Sequence, residues 1–169
     1  MMLLFRSVFF TFLLPGTVTV LIPYWLVSSR GAGIYMDQTV LRYLGLPLIA
    51  IGSAGLLWSI WEFFSEGHGT LAPVDPPKYL VVQGLYRYVR NPMYVSVVTT
   101  LLGEAIFFRS LAVLLEAGVF ILVAHLFVMC YEEPALRRQF GESYERYLQT
   151  VGRWIPRFQP RDRLTNRCW

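Results

Sequence analysis

Side chains able to hold or move charge crowd into two stretches of this 169-residue chain. The first is Gly84-Leu85-Tyr86-Arg87-Tyr88-Val89-Arg90-Asn91-Pro92-Met93-Tyr94. Pro92 suits the first turn of a helix, where its missing N–H costs nothing, and Asn91 ahead of it is a favoured N-cap. Such a helix start offers unpaired N–H groups and the positive end of the dipole, which suits an anion or a dipole. The same residues also fit an interfacial belt of tyrosines and snorkelling arginines. The second stretch opens with Tyr131-Glu132-Glu133-Pro134 and ends with Val151-Gly152-Arg153-Trp154-Ile155-Pro156. Neighbouring helical residues point about 100° apart, so at most one of Glu132 and Glu133 faces a given pocket. Tyr144 and Tyr147 share a helix face. Leu136, Phe140, Leu148 and Val151 give the same stretch an amphipathic character that suits the bilayer surface.

Three further ionisable residues, Glu104, Glu116 and His125, sit inside apolar surroundings. Charge within a membrane is costly and marks a pathway or a pair. Glu104 and Glu116 lie at similar depth on either side of Arg109-Ser110, which favours mutual contact. His125 precedes Glu132 by seven residues. That is two turns along roughly the same helix face, where it can serve as base or substrate contact.

The elements that must carry these groups follow from composition. Hydrophobic residues make up 55% of the chain and charged residues 15%. An ordinary soluble domain has roughly half and a quarter. Mean hydropathy is +0.46, and the apolar residues gather into four blocks, which excludes disorder, collagen and coiled coil. The blocks are 8–27, 43–61, 92–108 and 111–131. A twenty-residue helix spans about 30 Å, the thickness of the hydrocarbon core, so each block is expected to be a transmembrane helix. Gly45, Gly52, Ala54 and Gly55 in the second block let another helix approach closely. Trp58 and Trp61 suit the headgroup layer, with Glu62 and Glu66 marking the exit into water. Only Arg109 and Ser110 separate the last two blocks, which therefore form an antiparallel hairpin. Pro73, Pro76 and Pro77 forbid a regular helix through the 65–90 segment.

The expected fold class is therefore an all-α integral membrane protein, a single domain over 1–169 with an amphipathic C-terminal helix. The net charge of +4 comes from fourteen Arg and one Lys. With four spans, twelve of the fifteen basic residues fall on the side of the two termini, leaving Arg30, Arg42 and Arg109 opposite. The positive-inside rule then puts both termini in the cytoplasm, and topology with anionic-lipid contact accounts for the arginines without nucleic acid. Cys130 and Cys168 are read as free thiols.

Taken together, Gly-x-Tyr-x-x-x-Arg-x-Pro-x-Tyr, a short helical hairpin, Glu-Glu-x-x-Leu-x-x-x-Phe-Gly-x-x-Tyr-x-x-Tyr and Arg-x-x-Pro resemble the integral-membrane methyltransferases. These include isoprenylcysteine carboxyl methyltransferase and the phospholipid N-methyltransferases. The resemblance covers about Lys78 to Pro156, with cofactor motifs at 78–94 and 131–156. It implies a cytoplasmic pocket for S-adenosyl-L-methionine, capped by the tail and lined by Tyr79, Leu80, Val81, Tyr86, Asn91, Pro92, Met93, Tyr94 and Glu132. Asn91 stands where the family has histidine. Tyr86, Tyr94, Tyr144 and Tyr147 are the rings available to hold a sulfonium by cation–π attraction. Val128 replaces the arginine that the isoprenylcysteine branch carries one turn before the glutamate, which favours a lipid amine over a carboxylate acceptor. The acceptor is expected to be lipophilic and to enter from the bilayer. Two other functions fit parts of the pattern: a sterol-reductase-like oxidoreductase using NADPH, and a non-catalytic membrane adaptor. No metal site is expected.

The topology has a direct check. Cysteines placed at Lys78 and Arg109 are expected to react with an impermeant thiol reagent from opposite sides of the membrane, and labelling of both from one side would overturn the four-span arrangement.

Overall fold

A computed structural model describes residues 15–29, 40–67 and 80–156. The first half of the 8–27 block, the polar segment 68–79 with Tyr79, and the end of the tail lie outside the described residues. Among those described the chain is helical, with one isolated bridge between Val89 and Gly152 in place of any sheet. Helix α1 covers Thr17–Ser28, α2 Gly45–Gly67, α3 Pro92–Phe108 and α4 Leu111–Phe127. A π-helical turn, Val128–Glu132, joins α4 to α5 (Glu133–Phe140), and α6 follows at Glu142–Thr150.

Two of these helical stretches, Arg42–Glu62 and Leu111–Phe140, are long and apolar enough to cross a membrane, while Thr17–Ser28 and Pro92–Phe108 are shorter apolar helices. On α4, Leu115, Val119, Leu122, Val123 and Leu126 are all exposed. A continuous apolar surface of this kind suits lipid rather than water.

Close approach of α2 and α3 organises the bundle. A Cβ on Gly103 would lie 2.7 Å from the Ile49 nitrogen and 2.8 Å from the Gly45 carbonyl oxygen. One on Gly52 would lie 2.6 Å from the Thr100 nitrogen and 2.8 Å from the Ser96 carbonyl oxygen. Glycine alone permits these contacts, as small residues do between membrane helices. The hydroxyls at the seam are satisfied within their own helices: Ser96 donates to the Pro92 carbonyl at 2.8 Å, Thr100 to Ser96 at 3.0 Å and Ser59 to Gly55 at 2.8 Å. Ala54 faces outward and takes no part in the seam. Around it Leu56, Ile60, Val97, Leu101, Ala105, Val113 and Ala117 form the main core, against which Val18, Leu26 and Val27 of α1 pack.

The hairpin between α3 and α4 turns on two residues. Arg109 takes the left-handed conformation (φ 55°), its N–H closing the last turn of α3, and the Ser110 hydroxyl accepts from the Val113 N–H at 3.4 Å to cap α4. The two π turns, Thr17–Leu21 and Val128–Glu132, end two residues before Pro23 and Pro134. A proline lacks the N–H for its i−4 carbonyl and its ring crowds that oxygen. Widening the preceding turn relieves this without breaking the helix.

The seam sets an expected stability difference. Gly103→Leu should cost about 1–3 kcal/mol or more through overpacking. Gly118→Ala, a helical position with nothing within 4 Å of an added Cβ, should be neutral or stabilising by about 0.5–1 kcal/mol. Thermal unfolding in maltoside micelles measures both.

Candidate active site

The carboxylate of Glu133 is 7% exposed and binds two arginines from distant parts of the chain. Arg90 donates from Nη1 at 3.0 Å, and Arg153 donates from Nε at 2.7 Å and from Nη2 at 2.9 Å in a two-pronged pair. Main-chain contacts run alongside: the Arg90 N–H donates to the Gly152 carbonyl at 2.9 Å, and the Asn91 side-chain amide donates to the Arg153 carbonyl at 3.2 Å. Asn91 therefore occupies the N-cap position of α3 without capping it, because its side chain is spent on the tail. The 151–156 turn is thereby pinned across the start of α3 and the end of α4.

Glu132, one residue earlier, points elsewhere, as the helical offset requires. It accepts a hydrogen bond from the Tyr94 hydroxyl at 3.3 Å, and its other oxygen has no hydrogen-bond partner among the described residues. The Tyr94 ring is flanked by Phe120 at 6.2 Å and by Trp154, edge-on, at 6.3 Å between centroids. Trp154 in turn donates its indole N–H to Nδ1 of His125 at 3.1 Å. Glu132, Tyr94, Phe120, Trp154 and His125 thus form one assembly where the tail crosses the helix ends.

Glu62 belongs to the same region, although its position after the tryptophans reads as a helix exit. Helix α2 continues past it, and its side chain is buried. It accepts from the Leu85 main-chain N–H at 2.9 Å and from the Trp58 indole N–H. Gly84 is left-handed (φ 53°), and a Cβ there would collide with the Glu62 carboxylate, so only glycine fits. The carboxylate thereby fixes the Gly84–Arg87 turn that carries Tyr86. Sequence signals for this role are weak, being limited to a glutamate at the end of an apolar helix and a glycine two residues before Tyr86.

Burial pushes the Tyr86 phenol well above its ordinary pKa, and the nearby Glu132 and Glu62 carboxylates add to the shift. The Tyr147 hydroxyl donates to the Tyr86 carbonyl at 2.6 Å, and burial raises its pKa too, with Tyr86 and Tyr144 contributing. Tyr144 is pushed up to about 12 by burial and by Glu133, against an opposing effect of Arg90. All three phenols are neutral hydrogen-bond donors at physiological pH. Arg153 holds its proton more tightly than usual because Glu133 accepts from it.

The expected site residues therefore divide. Tyr86, Tyr94 and Glu132 converge. Tyr144 and Tyr147, with ring centroids 6.1 Å apart, form a second layer with Val151, on which Leu80, Leu136, Phe140 and Leu148 pack. The apolar face of the tail thus turns into the protein. Val81, Asn91 and Pro92 are buried, and Met93 packs against the main core. Glu104 and Glu116 interact electrostatically, remote from this assembly, and Glu104 Oε2 and both Glu116 oxygens are buried without hydrogen-bond partners. Trp154, Phe120, Glu62 and Arg153 are the additions from the structure.

An uncharacterized protein of Haemophilus influenzae is 36% identical over 63 residues, which is 37% of this chain and all of that protein. The family model for phospholipid methyltransferases matches residues 40–143, from the turn ahead of α2 through the paired glutamates into α6. The chain belongs to the phospholipid methyltransferase family.

Proposed function

We propose that this protein is a membrane methyltransferase that uses S-adenosyl-L-methionine to methylate the amine of a lipid headgroup. The proposed setting is a four-span topology with both termini cytoplasmic and the acceptor arriving sideways from the bilayer. The observation that carries the reading is the Glu132 carboxylate, one oxygen of which has no hydrogen-bond partner among the described residues, bonded to Tyr94, whose ring is flanked by Phe120 and Trp154. Aromatic faces attract a sulfonium, and a carboxylate accepts from ribose hydroxyls or an ammonium, so the residues present suit this cofactor. Tyr86 and Tyr94 join Glu132 in holding it. Tyr144 and Tyr147 support that site from behind, the latter through the Tyr86 carbonyl.

When bound, S-adenosyl-L-methionine would supply an electrophilic methyl group. The protein's part in an in-line displacement is alignment and exclusion of water. The 151–156 turn covers the helix ends, and the Glu133 pair keeps it there. An amine attacks as its free base, so the acceptor loses its proton before transfer. Val128 is fully buried beneath the carboxylates and offers no cation for a carboxylate acceptor, which favours the amine over a prenylcysteine-type substrate.

Three outcomes are expected. By titration calorimetry, Glu132→Gln should weaken S-adenosylmethionine binding roughly ten- to a hundredfold, the value of a charge-assisted hydrogen bond. Unchanged affinity in the folded variant, or binding of NADPH instead, overturns the cofactor assignment. Glu133→Ala should instead free the tail by removing the carboxylate that Arg90 and Arg153 share, read as new protease cleavage around 151–156 that Glu132→Gln does not show. With radiolabelled methyl donor and total membrane lipid, the label should be alkali-stable, as in a methylamine. Alkali-labile label would identify an ester and reject the amine.

A further inference from the structure

We infer that Trp154 holds His125 with its imidazole proton on Nε2, and that this N–H donates to a phosphate oxygen of the acceptor lipid, turning its amine toward the Tyr94 hydroxyl and the Glu132 carboxylate. The inference rests on the lipid-amine reading above and assigns the residues that orient the headgroup. An indole nitrogen is a donor only, and its N–H points at Nδ1 over 3.1 Å. Nδ1 must then be the lone-pair nitrogen. A proton there, whether in the other tautomer or in imidazolium, would set two donors against each other. Trp154 does not depend on His125 for its place, because its neighbours Gly152 and Arg153 are anchored to Arg90, Asn91 and Glu133.

The remaining N–H of His125 has no hydrogen-bond partner among the described residues. His125 is half-buried, and its neighbours along α4, Leu122, Val123 and Leu126, are exposed apolar side chains, so a ligand approaching this stretch of the helix comes from lipid. His125 precedes Glu132 by seven residues, roughly 10 Å along the helix axis, so the carboxylate that accepts from the Tyr94 hydroxyl lies beyond it toward the helix end, while the Trp154 indole is level with it. The polarity of that path is donor deep, carboxylate shallow. An aminophospholipid has the matching order, since its phosphate lies next to the acyl chains and its amine extends away from them. Because the Nδ1 lone pair already accepts from the Trp154 indole, His125 positions the acceptor and takes no proton from it.

The tautomer can be read directly. In the His68→Gln protein, which retains one histidine, labelled with ¹⁵N-histidine in maltoside micelles at neutral pH, the imidazole should show a protonated-type nitrogen at ε2 and an unprotonated-type nitrogen at δ1. Trp154→Phe keeps an aromatic ring but no N–H, and should give a mixture of tautomers. An Nδ1–H or imidazolium pattern in the Trp154 protein overturns the proposal. Short-chain phosphatidylethanolamine should shift the Nε2 resonance, while the matching diacylglycerol and inorganic phosphate should not. No shift with the phospholipid, or an equal shift with inorganic phosphate, overturns the headgroup assignment. These measurements need no methyl donor, so failure of methyl transfer, which would reject the enzymatic reading, is recorded separately from failure of the tautomer.

Discussion

A single buried carboxylate, Glu133, holds the two halves of the site together. Arg90 brings the segment leading into α3, and Arg153 brings the tail, so segments more than sixty residues apart in sequence meet at one pair of oxygens. Arg90 and the carboxylate are the buried members of this cluster, so removing either strands the other away from water, while Arg153 reaches the same oxygens from a more exposed position. Everything specific about the site, from the Asn91 contact to the placement of Trp154 over Tyr94, follows from the tail being fixed here.

Division of labour between adjacent glutamates depends on local helix geometry. Pro134 cannot serve the carbonyl four residues before it, and the helix answers with the π turn Val128–Glu132. That turn lies directly under both carboxylates. Glu132 is directed to Tyr94 and Glu133 to the arginines. Among the described residues the first accepts from Tyr94 through one oxygen, while both oxygens of the second are committed to the arginines.

Close packing of α2 on α3 has a consequence at the opposite end of α2. Because glycine at 45, 52 and 103 allows near backbone contact, α2 runs straight enough beside α3 to deliver Glu62 to the Gly84–Arg87 turn. The carboxylate then accepts the Leu85 N–H and fills the volume that Gly84 leaves vacant. Tyr86 is thus positioned from α2 through Glu62 and from α6 through Tyr147, two supports that are far apart in the sequence.

The family and the helices of the 43–61, 92–108 and 111–131 blocks were legible in the residues alone. Uninterrupted apolar runs fix where helices lie, since backbone polar groups in a lipid-like setting must be satisfied within the segment. The 92–108 block is therefore the helix observed, and the Arg109-Ser110 hairpin follows from its brevity. The offset between Glu132 and Glu133 was legible for the same reason, being a property of one helix. Pairings across the chain were not. The small residues at 45, 52, 54 and 55 announced a close contact, but which of them faced α3 depended on how the two helices rotated against each other, and Ala54 turned outward. Glu62 read as a helix exit because hydropathy records that a charge ends an apolar run and says nothing of the turn that folds back over it. Leu136, Phe140 and Leu148 suited a bilayer surface equally well as a protein interior, and only the docking of the tail gave them Tyr144 and Tyr147 as neighbours. Trp154 likewise carried no signal of its own. Its contact with His125 exists because the Glu133 ion pairs hold the tail across helices to which it is tied by no local periodicity.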